Sequence, residues 1–476
     1  MPRYYSLKVT YGDSSRWYPA VGRYQLHAPV GADGHVQFAF MSDIQTPNNN
    51  APTPDLAPSS ITSSTGPYTA IPRLSISKGW AKVLSGLKQE GGANLVLFGG
   101  DAVEYANKTQ SAPDDAATEW RQLLDNQQGF GISDEWSLSN LASTVPVEIC
   151  PGNHDELSTQ NATMALNNRW VYRPPANTGP NVDSNRGYYT FDQGDVHVVV
   201  INPFLTTPSA TYTGWIGLQN LTAGGSRTGV YSSYANTKQA DWLISALGTN
   251  KPWTVVVAHT PLFDAQSGQP WTQVNQVGSI NGTNDKYYGE RDRLLKLFAA
   301  NGVDLVLQGH LHMFRHHVEK VQTSDGSAAS AMTFITDGLA GGPPVTSTDY
   351  AYGASLDWVD LNNNGAWDTG EPVATVSNSS HYDFSYFGKQ NSTKDASGYT
   401  GTPDMFHPVG PFDDGLTYSY MTFQTGTDAQ GAPTMAMTVK AVSWNGTTHA
   451  WNSWTTYESM PVSHVAPGMV AQRFVK

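Results

Sequence analysis

Side chains that can bind metal ions follow several apolar stretches of this sequence. "FAFMSDIQTP" at 38–47 places Asp43 and Gln45 directly after an apolar run, and "LVLFGGD" ends at Asp101. The stretches "GNHD", "VVVAH" and "GHLH" contribute Asn153, His154, Asp155, His259, His310 and His312. Each residue alone has a simpler explanation, such as a turn residue or a structural histidine. Together, oxygen and imidazole donors after five successive apolar runs predict a shared site for an ion such as Mn, Fe, Zn, Ni or Co.

The apolar stretches alternate with segments of helical pattern near 73–89, 116–127, 237–247 and 289–300. Runs rich in β-branched residues between helices are typical of strands that are buried on both faces of an α/β sheet. Ligands of such sheets collect beyond the carboxyl ends of the strands, and every polar cluster of this chain follows a predicted strand. The sequence therefore predicts an α/β fold with a metal site at the strand ends.

The order of these motifs resembles a known family. D-x-Q, G-G-D, G-N-H-D, V-x-x-H and G-H-x-H follow one another within residues 36–340 as in the calcineurin-like metallophosphoesterases. The resemblance implies a four-layer α/β/β/α sandwich of two mixed sheets with long loop insertions. The family pattern has D-x-H where this chain has D-x-Q. Gln45 would offer an amide oxygen, a weaker donor than imidazole, which implies a looser or more selective first metal position.

The resemblance also implies a role for each motif residue. Asp43 and His312 would bind the first of two divalent transition-metal ions, and Asp101 would bridge both. His154 would act as the proton donor, and Asp155 would orient it. The complete set of implied metal ligands is Asp43, Gln45, Asp101, Asn153, His259, His310 and His312.

The activity implied by the resemblance is hydrolysis of a small-molecule phosphate ester, either a monoester or a diester. A hydroxide held by the two ions would attack phosphorus, and His154 would protonate the leaving alkoxide. Candidate substrate contacts are Tyr105, Arg169, Arg173 and Arg186. The alternative is a non-catalytic, calcium-stabilised binding or surface protein with a degenerate form of this fold.

Tyr105 raises the question of a ferric–tyrosinate site of the purple-acid-phosphatase kind. That subfamily places its tyrosine three residues after the aspartate of the G-D motif, whereas Tyr105 follows Asp101 by four. Its first motif is D-x-G, which differs from the D-x-Q of this chain. Both departures argue against a ferric–tyrosinate site.

A second metal motif spans 360–371, "DLNNNGAWDTGE". It matches the EF-hand loop template, in which Gly365 would allow the sharp turn. The ligands would be Asp360, Asn362, Asn364, Ala366 (through its carbonyl), Asp368 and Glu371. The flanking segments lack the pattern of amphipathic helices. We therefore predict a structural Ca²⁺ ion, and the alternative is an Asn- and Gly-rich surface turn.

The composition limits the partners and the location. The formal charge is −13, from 27 basic and 40 acidic residues, so binding to a nucleic-acid duplex is not expected. The single cysteine, Cys150, excludes an internal disulfide framework and a Cys-rich metal site. No apolar run reaches the roughly 20 residues of a membrane helix, and "MPRYYSLKV" lacks the apolar core of a signal peptide. The acidic, lysine-poor composition resembles that of secreted or periplasmic proteins, and nothing in the sequence indicates the oligomeric state.

Four segments are expected along the chain. Residues 1–35 would be an extension of strands packed on the core, and 36–340 would be the metallophosphoesterase domain. Residues 341–412 would form a Gly- and Asn-rich insertion with the calcium loop. Residues 413–476 would add the strands that complete the sandwich.

Overall fold

A computed structural model describes most of the predicted strands of the chain. The described residues are 7–11, 14–18, 33–44, 76–90, 93–102, 145–156, 187–202, 237–262, 278–280, 283–285, 288–310, 312, 314–341, 356–358, 373–375, 382–386, 417–445 and 450–472. Their helices are α1 (Ile76–Glu90), α2 (Asn153–Glu156), α3 (Thr237–Ala246) and α4 (Tyr288–Ala300). Their strands are β1 (Leu7–Tyr11), β2 (Ser14–Tyr18), β3 (Gln37–Met41), β4 (Leu95–Phe98), β5 (Val147–Ile149), β6 (Tyr189–Gln193), β7 (Val196–Val200), β8 (Trp253–Ala258), β9 (Gly278–Ile280), β10 (Thr283–Asp285), β11 (Leu305–Gln308), β12 (Phe314–Gln322), β13 (Ala329–Asp337), β14 (Leu356–Trp358), β15 (Val373–Thr375), β16 (Tyr382–Tyr386), β17 (Thr417–Thr427), β18 (Pro433–Asn445), β19 (Ala450–Trp451), β20 (Thr455–Val462) and β21 (Val470–Ala471).

A seven-stranded mixed sheet contains the first three predicted motif strands. Its order is β19-β18-β17-β3-β4-β5, with β20 paired to β18. β3, β4 and β5 are parallel, and β17 joins β3 in the antiparallel sense. Phe38 and Phe423 lie opposite each other in that last pair, with ring centroids 4.7 Å apart. Because β3, β4 and β5 are parallel neighbours, their carboxyl ends meet at one edge of this sheet.

An eight-stranded mixed sheet contains the other two motif strands. Its order is β16-β12-β13-β11-β8-β7-β6, with β21 paired to β12. β7, β8, β11 and β13 are parallel, whereas β6 and β12 run antiparallel to their neighbours. The carboxyl ends of β8 and β11 therefore also lie side by side.

The continuous apolar runs reflect burial on both faces of the larger sheet. Val255 and Val257 of β8 belong to the core that this sheet shares with the smaller one. Val256 between them packs in a second core with Leu243 of α3 and Phe298 of α4. Two mixed sheets with helices on the larger one confirm the predicted α/β class, while the four-layer order remains a prediction.

The helices expected near 73–89, 237–247 and 289–300 are present as α1, α3 and α4. The helix expected near 116–127 lies outside the described residues. The short helix α2 at the G-N-H-D motif and the long hairpin of β12 and β13 were not predicted. None of the described helices is long and apolar enough to cross a membrane.

The terminal segments and the insertion contribute strands. β1 and β2 pair with each other near the amino terminus, β17 to β20 extend the smaller sheet, and β16 adds an edge strand to the larger one. The expected segment boundaries, and the packing of 1–35 on the core, remain predictions.

Candidate metal centre

The ends of five strands, three in the smaller sheet and two in the larger, bring several predicted site residues together. In the smaller sheet, β3, β4 and β5 lead to Asp43, Asp101 and His154. In the larger sheet, β8 leads to His259 and β11 leads to His310. The backbone N–H of His310 donates to Asp43 Oδ2 at 2.8 Å, so the strand ends of the two sheets are in direct contact.

Asp101 lies at the centre of this group and is buried. Its Oδ1 accepts the backbone N–H of His154 at 2.8 Å, and its Oδ2 lies 3.1 Å from His259 Nε2. The ligand atoms of Asp101, His259 and His310 all lie within 4.8 Å of one another. His259 Nδ1 donates to the carbonyl of Gly99 at 2.8 Å, which leaves Nε2 as the atom available to an ion. A ring nitrogen fixed in this way is typical of metal-binding histidines.

Asp43 forms a second group next to the first. It is fully buried, and His312 Nε2 lies 3.5 Å from its Oδ1. The backbone N–H of His310, a residue of the first group, donates to Asp43 Oδ2, so the two groups are contiguous. The assignment of these residues to two metal positions, which the family resemblance implies, remains a prediction.

Three of these residues have a backbone conformation that is rare for their type. Asp43, Asp101 and His310 have φ angles of 61°, 53° and 71°, and they are the non-glycine residues with positive φ among those described. Such a conformation costs on the order of 1–3 kcal/mol and persists where surrounding contacts hold it, as at functional sites. Strain at three candidate ligands therefore supports a functional role for this cluster.

Glycines next to the ligands permit the close approach of the loops. A Cβ atom at Gly152 would overlap the Asp101 carboxylate, and one at Gly100 would lie 2.7 Å from His259 Nδ1. Gly100 also has a φ of 102°, which side-chain-bearing residues rarely adopt. Both motifs thus need glycine because a side chain would overlap a neighbouring loop, and Gly100 is also needed for its positive φ angle.

Asp155 joins two of the motif loops. Its Oδ1 accepts the backbone N–H of Ala102 at 3.0 Å, and its Oδ2 accepts that of Gly152 at 2.9 Å. These bonds fix the loop after β4 to the loop after β5, and so fix the position of His154. The predicted orientation of the His154 ring by Asp155 remains a prediction.

The ionisable groups of the cluster have pKa values that diverge strongly. Burial alone would raise the pKa of Asp101, but the charges of His259 and His154 hold it well below its usual range. Burial likewise opposes the charged form of His259, yet Asp101 and Asp43 raise its pKa to about 9. Burial and the charge of His259 lower the pKa of His310 to about 3. Such divergence is a property of functional sites.

Several predicted residues cannot be placed. Gln45, Tyr105, Arg169, Arg173, Arg186 and the loop 360–371 lie outside the described residues. Asn153 begins α2, and its side chain is not described. Ser42 and Asp337 were not predicted. The Ser42 hydroxyl donates to the carbonyl of Gly100, and Asp337 is close enough to Asp43 for its charge to raise the pKa of the Asp337 carboxyl. Asp337 ends the apolar strand "AMTFITD", so the rule that selected Asp43 and Asp101 could also have selected it.

The donor set fits divalent transition metals. Carboxylates of Asp43 and Asp101 with imidazoles of His259, His310 and His312 are oxygen and nitrogen donors of the kind that Mn, Fe, Zn, Co and Ni accept. Cys150 is buried and its Sγ lies 3.4 Å from the carbonyl oxygen of Ile201, so it has a structural environment. The candidate site therefore contains no thiolate among the described residues.

Comparisons with known proteins also indicate a phosphoesterase family. The model of the calcineurin-like phosphoesterase family matches residues 36–314. Two relatives from Arabidopsis thaliana are purple acid phosphatase 21, 28% identical over 189 residues, and purple acid phosphatase 18, 27% identical over 181 residues. Each match covers 37% of this chain and about a third of the relative, 32% and 31% respectively.

A solved purple acid phosphatase from yellow lupin (Lupinus luteus) seeds aligns over 94% of this chain and 57% of its own. The sequence identity is 11% and the TM-score is 0.45, which is too low to support a conclusion. The family assignment rests instead on the motifs and on the family model, which matches more than half of the chain. This protein belongs to the calcineurin-like phosphoesterase family.

Proposed function

We propose that this chain is a metal-dependent phosphoric ester hydrolase that acts on a small-molecule monoester or diester. The observation that carries the proposal is the convergence of Asp101, His259 and His310, whose ligand atoms lie within 4.8 Å of one another. Two divalent ions bound here would polarise phosphoryl oxygens and activate water. The purple acid phosphatases among the relatives support a phosphatase activity.

Each motif residue has a proposed role in this reaction. Asp43 and His312 would hold the first ion with Gln45, and Asp101 would contact both ions. Asn153, His259 and His310 would complete the second position. His154 would donate a proton to the leaving oxygen. Its backbone N–H donates to Asp101 Oδ1, and the charge of its ring lowers the pKa of the Asp101 carboxyl, which supports a position of the ring near the proposed site.

Asp101→Asn is the sharpest test of the metal-dependent activity. We expect hydrolysis of bis-nitrophenyl phosphate and of nitrophenyl phosphate to fall at least about a hundredfold, because the centre loses its bridging charge. Asp304→Asn is the matched control. Asp304 is also buried and bound to a histidine ring, but it precedes β11 at the edge opposite the site. Equal losses in both variants, or none in Asp101→Asn, would contradict the proposal.

Metal analysis of the purified chain separates the enzyme from the non-catalytic alternative. About two transition-metal ions per chain would support the hydrolase, and calcium alone would support the binding protein. Activity with Mn, Fe, Zn, Ni and Co against the monoester and the diester would then define metal and substrate class. Because Tyr105 does not fit the purple-acid-phosphatase spacing, we expect the iron-loaded chain to lack a purple colour.

We also propose that the loop 360–371 binds Ca²⁺. β14 and β15 on either side of it form an antiparallel pair, with Trp358 opposite Val373. This pairing brings the two ends of the loop close together, as a closed coordination loop requires. The flanking elements are strands, in agreement with the absence of helical patterns in the flanking sequence.

Terbium luminescence tests the calcium loop, since Trp358 and Trp367 can transfer energy to an ion bound there. We expect calcium to compete with terbium, and Asp360→Ala to weaken both. Asp349→Ala, outside the twelve-residue template, is the matched control. Binding that is unaffected by Asp360→Ala would contradict the calcium proposal.

A secreted or periplasmic location is proposed from the composition alone. Fractionation of the native source tests it, because the activity should then be found outside the cytoplasm.

A further inference from the structure

The segment 337–341 runs from the larger sheet to the smaller one and contacts the backbone next to Asp43. β13 of the larger sheet ends at Asp337, and the next residues run along the carboxyl end of β3 in the smaller sheet. A Cβ atom at Gly341 would lie 3.0 Å from the carbonyl oxygen of Ile44, which shows how closely the two segments approach.

The segment occupies a position where two strands would otherwise pair. The ladder between β3 and β17 ends at the pair of Phe40 and Met421. In the same register, the next two pairs would join Met41 to Tyr420 and Ser42 to Ser419. Ala340 instead donates its N–H to the carbonyl of Ser42 at 3.0 Å, and Ser419 donates its N–H to the carbonyl of Leu339 at 3.0 Å. The segment therefore separates the Asp43 loop from β17 and carries hydrogen bonds to both.

Asp337 anchors this segment at its start. Its buried carboxyl accepts the hydroxyl proton of Ser419 at 2.6 Å and also the backbone N–H of Leu339. A side chain that accepts the N–H two residues further on forms an Asx turn, which fixes the direction of the chain. Its other oxygen, Oδ2, has no hydrogen-bond partner among the described residues.

The Asp337 carboxyl is also close enough to respond to Asp43. Burial raises its pKa to about 7, against the effect of the bonds from Ser419 and Leu339, and the negative charge of Asp43 adds to the rise. Asp337 thus lies beside the metal centre without belonging to the predicted ligand set.

Asp43 needs contacts that hold its left-handed backbone. Its N–H donates to the carbonyl of Gly100 at 2.9 Å, and the Ser42 hydroxyl donates to the same oxygen at 3.1 Å. Both contacts come from the loop of another ligand, Asp101, which is itself strained. The bond from Ala340 to Ser42 comes from outside the ligand loops, so it can support them independently.

We propose that Asp337, with Ser419, is a positioning residue for the metal centre. The pair fixes the segment 337–341, the segment fixes the backbone at Ser42, and this sets where the Asp43 carboxylate lies. The proposal rests on the proposed function, because it assigns Asp43 to a metal ion.

The test compares Ser419→Ala and Asp337→Ala with a matched serine control. Ser443 is also buried in the same sheet, and its hydroxyl accepts the Asn452 Nδ2–H at 2.7 Å. It lies opposite Thr417, and among the described residues it has no hydrogen bond to the segment 337–341 or to Asp43. Calorimetric titration with Mn²⁺ gives the affinity and the number of ions. Hydrogen exchange of the Asp43 amide in metal-free protein reports the backbone directly.

We expect both variants to bind one of two Mn²⁺ ions about tenfold more weakly, as loss of a supporting partner does at other metal sites. We also expect faster exchange of the Asp43 amide, and neither change in Ser443→Ala. Asp337→Asn keeps the oxygen that accepts from Ser419, so it should fold and retain most of the affinity. The double variant should resemble the single ones, because the two residues act as a unit.

The outcomes separate this proposal from the proposed function. Wild-type protein that binds neither Mn²⁺ nor any ion of Fe, Zn, Ni or Co would overturn both. Wild-type binding of two ions with unchanged affinity and exchange in Ser419→Ala and Asp337→Ala would overturn only the positioning role. Equal weakening in Ser443→Ala would also overturn it, since the effect would then be general destabilisation.

Discussion

At the scale of single residues, Asp101 connects most of the candidate centre. Its two oxygens contact the backbone of His154 and the ring of His259, and its own backbone is left-handed. A carboxylate between His154 and His259 can neutralise positive charge on either neighbour. The backbone N–H of His154, the proposed proton donor, is bound to the same carboxylate. The effect of His154 on the reaction can be tested by changing the leaving group.

His154→Ala should slow hydrolysis by a factor that depends on the leaving group. General-acid catalysis contributes about 10²–10⁴ in rate. An alkyl ester, whose alkoxide leaves poorly without a proton, should show the full loss. A nitrophenyl ester, whose phenolate leaves readily, should lose much less. Steady-state rates of the two esters with the same metal measure the difference.

His35→Ala is the histidine control for this experiment, because His35 precedes β3 at the edge opposite the site. It should leave both rates nearly unchanged. Equal losses for the alkyl and the nitrophenyl ester in His154→Ala would argue against the proton-donor role.

At the scale of elements, helix α1 is fixed by aromatic residues from the carboxyl-terminal strands. Gly79 lies against the buried ring of Tyr418, and Gly86 lies against the ring of Trp454. Lys82, between them on the same helical face, has its Nζ 5.8 Å from the ring centroids of both Trp451 and Trp454. The face of α1 is thus shaped by residues more than 300 positions later in the chain.

Gly79→Ala should therefore destabilise the protein, although alanine favours helices. At a free helical position the exchange stabilises by about 1 kcal/mol. Here the added Cβ would overlap the Tyr418 ring, and overpacking of this kind costs about 1–3 kcal/mol. Chemical denaturation measures the change in the free energy of unfolding.

Gly248→Ala is the control for this substitution. A Cβ atom there would make an ordinary contact of 3.6 Å with the carbonyl oxygen of Ser245, so little change is expected. If Gly79→Ala instead raised the free energy of unfolding by about 1 kcal/mol, as at a free helical position, α1 would not pack closely against the Tyr418 ring.

At the scale of the whole molecule, a polar link joins the two sheets at the edge opposite the metal centre. His35 Nδ1 lies 2.9 Å from Asp195 Oδ2, and the Thr425 hydroxyl donates to Asp195 Oδ1 at 2.8 Å. His35 precedes β3, and Thr425 belongs to β17 in the smaller sheet, whereas Asp195 lies between β6 and β7 of the larger sheet. The sheets are therefore connected at both edges.

Stability should depend on pH through this link. The hydrogen bond to Asp195 raises the pKa of His35 above 6.5 despite partial desolvation, and the charge of Asp33 adds to the rise. A raised folded pKa means that the stabilisation is complete below the unfolded value, about 6.5, and is lost as pH rises through the folded pKa. His35→Gln should thus be less stable than wild type at pH 6, with a difference that shrinks at higher pH.

Thermal unfolding of wild type and His35→Gln across this range measures that difference, and the titration of other groups cancels in the comparison. Asp195→Asn removes the partner and should show the same pH dependence relative to wild type. A difference that stays constant with pH would show that His35 acts without its charge.

The sequence alone determined the strands and the candidate ligands of this protein. β8 is apolar at every position because both of its faces are covered, and this pattern is local. The acids and histidines follow directly after such strands, so Asp43, Asp101, His259 and His310 could be identified from order and spacing. A metal-binding role for Gln45 and a Ca²⁺ site in the loop 360–371 were also predicted, and both remain predictions.

Only the tertiary structure decided how these residues meet. The backbone of His310 reaches Asp43 across 267 positions, and Ser419 reaches Asp337 across 82. The left-handed backbone at three candidate ligands and the segment inserted between β3 and β17 have no local signal in the sequence. Hydrogen bonds between distant residues depend on how two sheets pack, and a pattern read along one strand contains no information about its neighbours in space.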